Sequence, residues 1–232
     1  MTTTGAGRPR LSTRKRPGAT AREEILDAAA ELFTTRGFTG TSTRMIADAV
    51  GIRQASMYHH FATKDDILAT LLLGTVTAPV QRAEQLRQTC DDAIVRIYAL
   101  VLFDTGQLAD SRWNLGALYL LPEVTTERFT EFRALRDDLM AHYAAFARDA
   151  VDAIGGTDCG PGTAELPFRL VEATISARSD AAAHATTSAL TRHTIAAAAL
   201  RTLGWTDPTE PIATRAAEAL DRIAASCPQP DK

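Results

Sequence analysis

Side chains that could contact nucleic acid are concentrated between residues 51 and 66. The segment opens with Gly51, continues with Arg53, Gln54 and further polar residues, and closes with two histidines, a phenylalanine and Lys64. A short helix fits the major groove of B-DNA, where arginine can pair with guanine and glutamine with adenine through two hydrogen bonds. The residue types and their spacing therefore favour recognition of base edges.

The charge of the chain is unevenly distributed. Residues 1–22 contain six basic residues and no acidic residue, whereas the whole chain of 232 residues has a net charge of −3. A basic arm on an acidic body can approach a phosphate backbone, although the same composition is also typical of a solvated tail. The position of the arm, directly before the polar segment, favours a role in DNA binding.

Metal and enzyme chemistry are less well supported by the sequence. His59 and His60 are adjacent, and adjacent helical residues point about 100° apart, so they cannot easily share one ion. Elsewhere, groups that could catalyse a reaction are present without a nucleophile elbow, metal spacing or phosphate loop. These groups are His142, Ser176, Asp180, His184 and His193. The sequence therefore predicts no metal, no cofactor and no enzymatic activity.

Composition bounds the class of protein. The apolar content, 45%, is that of an ordinary globular chain, and no run of eighteen apolar residues is present. The N-terminus lacks the apolar stretch of a secretory signal. Three widely spaced cysteines fit reduced thiols. We therefore expect a cytoplasmic protein that does not enter a membrane.

The N-terminal pattern predicts a helix-turn-helix unit. Thr20 and Glu23 form a capping-box pattern, and apolar residues then recur at helical spacing as far as Gly37. A second helix is expected after Thr41 and Ser42, either of which can cap it. A third is expected over about residues 53–60 beyond the Gly51 turn, and a fourth is expected to be capped by Thr63.

The remaining chain also has helical periodicity, so the predicted fold class is all-α. Pro79 is expected to kink or end the fourth helix. Further helices are expected near residues 94–102, 113–121, 125–154, 165–181, 186–203 and 211–225. The predicted organisation is a disordered basic arm 1–19, a helix-turn-helix domain 20–67, a larger helical domain 68–227 and a disordered tail 228–232.

The region from Thr20 to Leu72 resembles the DNA-binding domain of the TetR family of regulators. The residues that carry the resemblance are Ile25, Ala28, Phe33, Gly37, Phe38, Thr41, Ile46, Ala47, Gly51, Tyr58, His59, His60, Phe61, Lys64 and Leu68. It implies an N-terminal three-helix DNA-binding domain followed by a C-terminal helical domain for ligand binding and dimerisation.

The resemblance also implies the DNA contacts, with Tyr58, His60 and Lys64 as phosphate clamps. The expected contacts are Ser42, Thr43, Arg44, Arg53, Gln54, Ala55, Ser56, Tyr58, His59, His60 and Lys64. Many relatives have serine at position 53 and glycine at position 55. Arg53 cannot accept a capping hydrogen bond, which weakens the helix start by about 0.5–2 kcal/mol. We expect Arg53 to read a guanine instead.

The C-terminal domain resembles the family more weakly. Bulky and polar residues of its middle helices are the predicted ligand contacts, with Trp113 foremost. They are Tyr98, Phe103, Trp113, Tyr119, Phe132, Arg136, Met140, His142, Tyr143, Phe168 and Glu172. The helices near 165–181 and 186–203, with small residues at 181–183 and 196–199, are expected to form a homodimer.

The resulting expectation is a ligand-responsive regulator, most simply a repressor. As a homodimer it would bind a palindromic operator in double-stranded DNA and be released by a small, partly apolar or aromatic effector. The fourth helix would connect the ligand pocket to the recognition helix. One alternative is a DNA-binding regulator without a small-molecule effector, controlled by another protein or acting as an architectural factor. An enzyme is a remote alternative.

Overall fold

The computed structural model describes residues 16–156 and 160–226. Every regular element in these ranges is helical, which confirms the predicted fold class. The described α-helices are α1 (Ala21–Arg36), α2 (Thr43–Val50), α3 (Gln54–Tyr58), α4 (Lys64–Thr89), α5 (Ala93–Asp110), α6 (Thr130–Ile154), α7 (Pro161–Ala183), α8 (Arg192–Thr202) and α9 (Glu210–Ser226). A boundary between two compact units falls between Leu68 and Ala69. The predicted tail 228–232 and most of the predicted arm lie outside the described residues.

The first unit begins with the predicted capping box. The backbone N–H of Glu23 donates to Thr20 Oγ1 at 3.2 Å, and the Glu23 carboxylate accepts from the N–H of Thr20 at 3.1 Å. These two bonds satisfy amide groups that the first turn of α1 leaves without helical partners. The buried side of α1 includes Ile25, Leu32 and Phe33, as the periodicity predicts.

A tight turn joins α2 to α3. Ser42 caps α2 by accepting from the N–H of Met45 at 3.2 Å. Gly51 ends α2 in the left-handed conformation with φ of 79°, and its N–H donates to Ala47 O at 2.9 Å. A residue with a side chain rarely adopts this conformation, so glycine is suited to the turn. The third helix is shorter than expected and buries Met57.

Arg16 departs from the prediction of a disordered arm over residues 1–19. Its guanidinium pairs with Asp27 at 3.1 Å and with Glu31, both on α1, and its Nε donates to Ala49 O at 3.4 Å. The side chain is 14% exposed. The last basic residue of the arm is therefore held by the acidic face of α1, a contact that charge composition does not reveal.

In the second unit, α5 is the central helix. Asp92 caps it by accepting from the N–H groups of Ile94 and Val95, both at 2.9 Å. Its residues are apolar around most of the helix circumference, which is typical of a helix buried on several sides. Accordingly, α5 packs against α6, α7, α8 and α9.

Several element boundaries differ from the predictions. Pro79 does not end α4, which continues to Thr89. The stretch 113–129 forms three short 3-10 helices instead of one α-helix, so Pro122 begins an element instead of terminating one; their bounds are Leu115–Leu118, Pro122–Thr125 and Glu127–Phe129. The eighth helix starts at Arg192 because Thr191 caps it, accepting from the N–H of Thr194 at 3.1 Å.

Candidate nucleic-acid interface and ligand cavity

Three polar side chains connect the start of α2 to α3. Gln54 Nε2 donates to Thr43 Oγ1 at 2.9 Å and to the Tyr58 hydroxyl at 3.3 Å, and the two hydroxyls lie 3.3 Å apart. Tyr58 nevertheless remains 47% exposed. The cluster fixes the side chains of two helices relative to each other while leaving them accessible to a ligand on the surface.

Exposed residues surround this cluster. Arg44 is 80% exposed on its side chain and lies 3.9 Å from Asp48, one helical turn further along α2. An ion pair between such exposed groups contributes little to stability, so the guanidinium is available to another anion. The other expected contacts that are exposed are Ser42, Arg53, Ala55, Ser56, His59 and His60.

Arg53 occupies the position before α3 with extended backbone. Within the described part of the chain, no side chain caps this helix start. The feature agrees with the expectation that an arginine at this position gives up the capping hydrogen bond. The side chain is exposed and therefore free to reach a groove.

Lys64 differs from the expectation of a phosphate clamp. Its ammonium donates to Phe38 O at 2.7 Å and to Thr41 O at 2.9 Å, and it lies 4.0 Å from the centroid of the Phe38 ring. These groups belong to the connection between α1 and α2. The lysine therefore links the start of α4 to that connection by hydrogen bonds. Residue type alone does not distinguish this role from phosphate binding.

The two histidines remain surface residues. His59 and His60 are both exposed. In residues 16–156 and 160–226, no three histidine, cysteine, aspartate or glutamate side chains cluster as a metal site would require. Over the same residues, no helix is both long and apolar enough to cross a membrane.

The second unit contains a cavity of about 460 Å³. The described residues that line it are Gly116, Tyr119, Leu120, Val124, Thr125, Phe132, Arg133, Arg136, Asp137, Arg169, Glu172, Ile175 and Ser176. Its wall is formed by α6, α7 and the stretch 113–129 with its three 3-10 helices, called the 3-10 segment below. Gly116 permits close packing of that segment, because a Cβ at this position would lie 2.4 Å from Ile175 Cδ1.

The structure brings four of the predicted ligand contacts to this cavity: Tyr119, Phe132, Arg136 and Glu172. Phe168 borders a smaller adjoining cavity, and its ring lies 5.5 Å from that of Tyr143. Arg133 and Arg169, which were not predicted, also line the main cavity.

The other predicted contacts lie outside the set that lines the cavity. Trp113, the foremost prediction, has its ring 4.8 Å from the Arg112 guanidinium. The Tyr98 hydroxyl lies 3.4 Å from His193 Nδ1, and Phe103 packs under Arg82. Met140 packs against the core, and His142 lies beside Phe146. Tyr98, Tyr143 and Met140 pack in or against the core, whereas Phe103 lines a separate cavity of the second unit. Residue type alone does not distinguish packing from lining a cavity.

A buried polar network adjoins the cavity. Asp104 on α5 accepts from Gln107 Nε2 at 2.9 Å and from the Tyr143 hydroxyl at 3.0 Å. Burial raises the pKa of Asp104 to about 6, although both hydrogen bonds oppose the shift. Burial likewise raises the pKa of Tyr119, whose hydroxyl donates to Thr75 Oγ1 at 2.6 Å.

The same network compensates for Pro79. Proline has no N–H, so the carbonyl four residues earlier, that of Thr75, loses its helical donor. Gln107 Nε2 supplies a replacement by donating to Thr75 O at 2.7 Å. Thr75 on α4 is thus held by α5 through its carbonyl and by the cavity residue Tyr119 through its hydroxyl. A proline within a helical pattern was the one sequence signal that pointed to this contact.

The small residues expected at a dimer interface are divided between core and surface. Ala196 and Ala199 of α8 are buried within the unit itself. Ala197 and Ala198 are half-buried, and Ala182 and Ala183 at the end of α7 are exposed. Only the half-buried and exposed alanines of this set are accessible to a partner.

Known proteins resemble this chain in sequence and fold. The family model of the bacterial regulatory proteins of the tetR family matches residues 25–71. The crystal structure of AmtR from Mycobacterium smegmatis has 50% sequence identity and a TM-score of 0.83, covering 90% of this chain and 98% of that chain.

Two relatives are transcriptional repressors of the helix-turn-helix type. The repressor KstR2 of Rhodococcus jostii strain RHA1 is 32% identical over 120 residues, which cover 50% of this chain and 58% of the relative. Rv3405c of Mycobacterium tuberculosis strain H37Rv is 34% identical over 123 residues, covering 48% and 64%. The chain thus spans less than two thirds of the length of these relatives.

Proposed function

The chain belongs to the tetR family of bacterial regulatory proteins, and we propose that it represses transcription by binding an operator in double-stranded DNA. Its relatives are transcriptional regulators, in agreement with the prediction that the chain is not an enzyme. Because the proposed partner is chromosomal DNA, the bacterial cytoplasm is the proposed location.

The observation that carries this proposal is the exposed polar surface of α2 and α3. Arg53 and Ser56 are exposed on or beside a short helix that follows a tight turn, while Gln54 is held in place by Thr43 and Tyr58. Side chains at the start of a recognition helix contact base edges in helix-turn-helix proteins. Arg44, Tyr58 and His60 are proposed to contact phosphates, which position the domain without reading sequence.

We propose that two copies bind together. A helix-turn-helix dimer places its recognition helices in successive major grooves, about 34–36 Å apart. The proposed interface is formed by the exposed end of α7 and the half-buried alanines of α8. The operator is then expected to be palindromic, because the twofold symmetry of the protein imposes it on the site.

The cavity is the proposed effector site. Its volume of about 460 Å³ lies within the range of small-molecule pockets, and its wall combines apolar side chains with a few charged ones. A ligand changes the operator affinity only if it binds one arrangement of the recognition helices better than another.

The route from cavity to DNA is proposed to pass through α4. Tyr119 lines the cavity and donates to Thr75 on α4. The missing hydrogen bond at Pro79 makes this turn of α4 depend on its neighbours. An occupant that moves Tyr119 would therefore alter α4, which begins at Lys64 in the first unit.

Selection of genomic DNA fragments that bind the full chain tests the proposal. We expect recovered fragments to share a palindrome, and operator binding to exceed binding of random DNA by about 10³-fold or more. Random DNA bound as tightly as the recovered fragments would contradict a repressor and favour an architectural protein. Compounds that raise the melting temperature would then be tested for release of the operator.

A further inference from the structure

The polar wall of the cavity has more hydrogen-bond donors than acceptors. Arg136 donates to Glu172 Oε1, and Arg169 donates to Glu172 Oε2 at 2.9 Å. A guanidinium carries five N–H donors, so one carboxylate cannot use all the donors of two arginines. The Nε of Arg136 is buried without a hydrogen-bond partner within the described residues and does not face the cavity, whereas the Arg169 side chain is 49% exposed. An occupant that carries acceptors would therefore complete the hydrogen bonding of Arg169.

The net charge of the wall points in the same direction. Three arginines and two acidic residues line the cavity, an excess of one positive charge among the lining residues, and Glu165, outside that lining, lies 3.8 Å from Arg169. Arg133 is one of the three arginines, and its Nη1 donates to the carbonyls of Val124 at 2.6 Å and Thr126 at 2.7 Å. A single negative charge on the occupant would balance the charges of the lining residues.

The other side of the cavity is apolar. Phe132 and Val124 are buried in its wall, and Ile175 and the ring of Tyr119 adjoin them. Leu120, at the rim, is 93% exposed although it is a large apolar residue. Covering such a side chain removes apolar surface from water and is favourable. An occupant with an apolar body would make use of this surface.

We infer that the cavity binds a small organic monoanion, a carboxylate joined to an aliphatic or aromatic body. The carboxylate is held by Arg136 and Arg169, and the body lies along Phe132 and under Leu120. The assignment deepens the proposed effector role and rests on it for any consequence at the operator. Binding itself rests on the donors, the charge and the apolar wall.

Matched probes test the charge requirement. Phenylbutyrate and octanoate are compared with their primary amides, which keep the shape and lose the charge, by melting temperature and by titration calorimetry of the full chain. Charge-assisted hydrogen bonds are the stronger ones. We expect the carboxylates to raise the melting temperature and to bind at least about tenfold more tightly than the amides.

Variants identify the residues responsible. Arg136→Gln and Arg169→Gln are each expected to reduce the preference for carboxylate over amide by about tenfold. The control is Arg148→Gln, which removes the same charge from an exposed position on α6. Arg169 is half exposed, so its variant tests the assignment even where Arg136→Gln fails to fold.

The outcomes separate this inference from the proposed function. Three results would each overturn the inference. The amides could bind as tightly as the carboxylates, the preference for carboxylate could survive in both arginine variants, or every carboxylate could fail to bind. Carboxylates that bind through Arg136 but leave operator affinity unchanged would support the inference and contradict the effector mechanism. Release of the operator by neutral compounds in this cavity would support the effector mechanism and contradict the inference.

Discussion

Arg53 is exposed at the start of α3, and we propose that its side chain specifies the operator sequence. We predict that Arg53→Ala weakens operator binding by about 1–3 kcal/mol and relaxes the base preference at one position in each half-site. The measurement is repeated selection of bound fragments with the variant. Arg36→Ala, which removes an exposed arginine at the end of α1, is the control. An unchanged base preference in Arg53→Ala would show that the residue contacts only the backbone.

Lys64 and Arg44 are both cationic, but only Lys64 has backbone partners. We predict that Lys64→Met lowers the free energy of unfolding by about 1–3 kcal/mol, because the carbonyls of Phe38 and Thr41 lose their donor. Arg44→Ala is expected to leave stability within about 0.5 kcal/mol and to weaken DNA binding. Urea unfolding and operator titration of both variants distinguish the two roles. An unchanged free energy of unfolding in Lys64→Met, together with weaker DNA binding, would restore the phosphate-clamp assignment.

Asp104 predicts a dependence of stability on pH. Its pKa is about 6 in the folded chain and near 3.8 as a free side chain, so the folded state retains the proton over that interval. The free energy of unfolding should therefore fall by about 2–3 kcal/mol as the pH rises from about 4 to about 6. Above about pH 6, Asp104 causes no further change in the free energy of unfolding.

Asp104→Asn checks this assignment. The neutral side chain can still accept from Gln107 and can donate to the Tyr143 hydroxyl, so we expect greater stability than the native chain at pH above 6. The free energies of unfolding should converge as the pH falls toward about 4. Asp138→Asn, on the exposed side of α6, is the control. A native chain whose stability is flat over this interval would exclude the assignment.

At the scale of elements, α4 depends on the residues that hold Thr75. We predict that Tyr119→Phe speeds amide hydrogen exchange around residues 75–83 of α4 by about 2- to 10-fold, the effect of losing one hydrogen bond. Tyr98→Phe, which removes a hydroxyl beside His193 on α8, is the control and should leave this stretch unchanged. Equal effects from the two variants would argue against a specific connection between the cavity and α4.

The 3-10 segment shows why α4 and the cavity are connected. Asn114 Nδ2 donates to Ile175 O at 2.9 Å and to Ser179 Oγ at 3.0 Å, both on α7. Gly116 then allows the following turn to approach Ile175 closely. These contacts place the Tyr119 ring in the cavity wall and its hydroxyl against Thr75. The same side chain therefore lines the cavity and contacts α4.

At the scale of the whole molecule, operator binding is expected to depend on dimerisation. We predict that Ala197→Glu, at a half-buried position of α8, converts dimers to monomers and weakens operator binding by about 100-fold or more, because a charge at an interface is costly to desolvate. Light scattering during size-exclusion chromatography measures the mass. Ala141→Glu, at an exposed position of α6, is the control. A dimer that persists in Ala197→Glu would place the interface elsewhere.

Local patterns determined the helical architecture. The capping box at Thr20 and the Gly51 turn were predictable, because each depends on residues within four positions of one another. A cap at Thr41 or Ser42 was predictable for the same reason, and the structure shows that Ser42 provides it. The missing cap at Arg53 followed from residue type alone, since arginine has no acceptor. These features, together with the family resemblance, predicted the DNA-reading unit.

Only the tertiary structure decided how distant side chains are used. Lys64 and Phe38 are 26 residues apart, Gln107 and Thr75 are 32 apart, and Arg136 and Glu172 are 36 apart. Periodicity shows which face of a helix is apolar, but not which helix packs against that face. The sequence therefore indicated the surface that we propose contacts DNA, whereas the packing of α6, α7 and the 3-10 segment decided that Arg136, and not Trp113, borders the cavity.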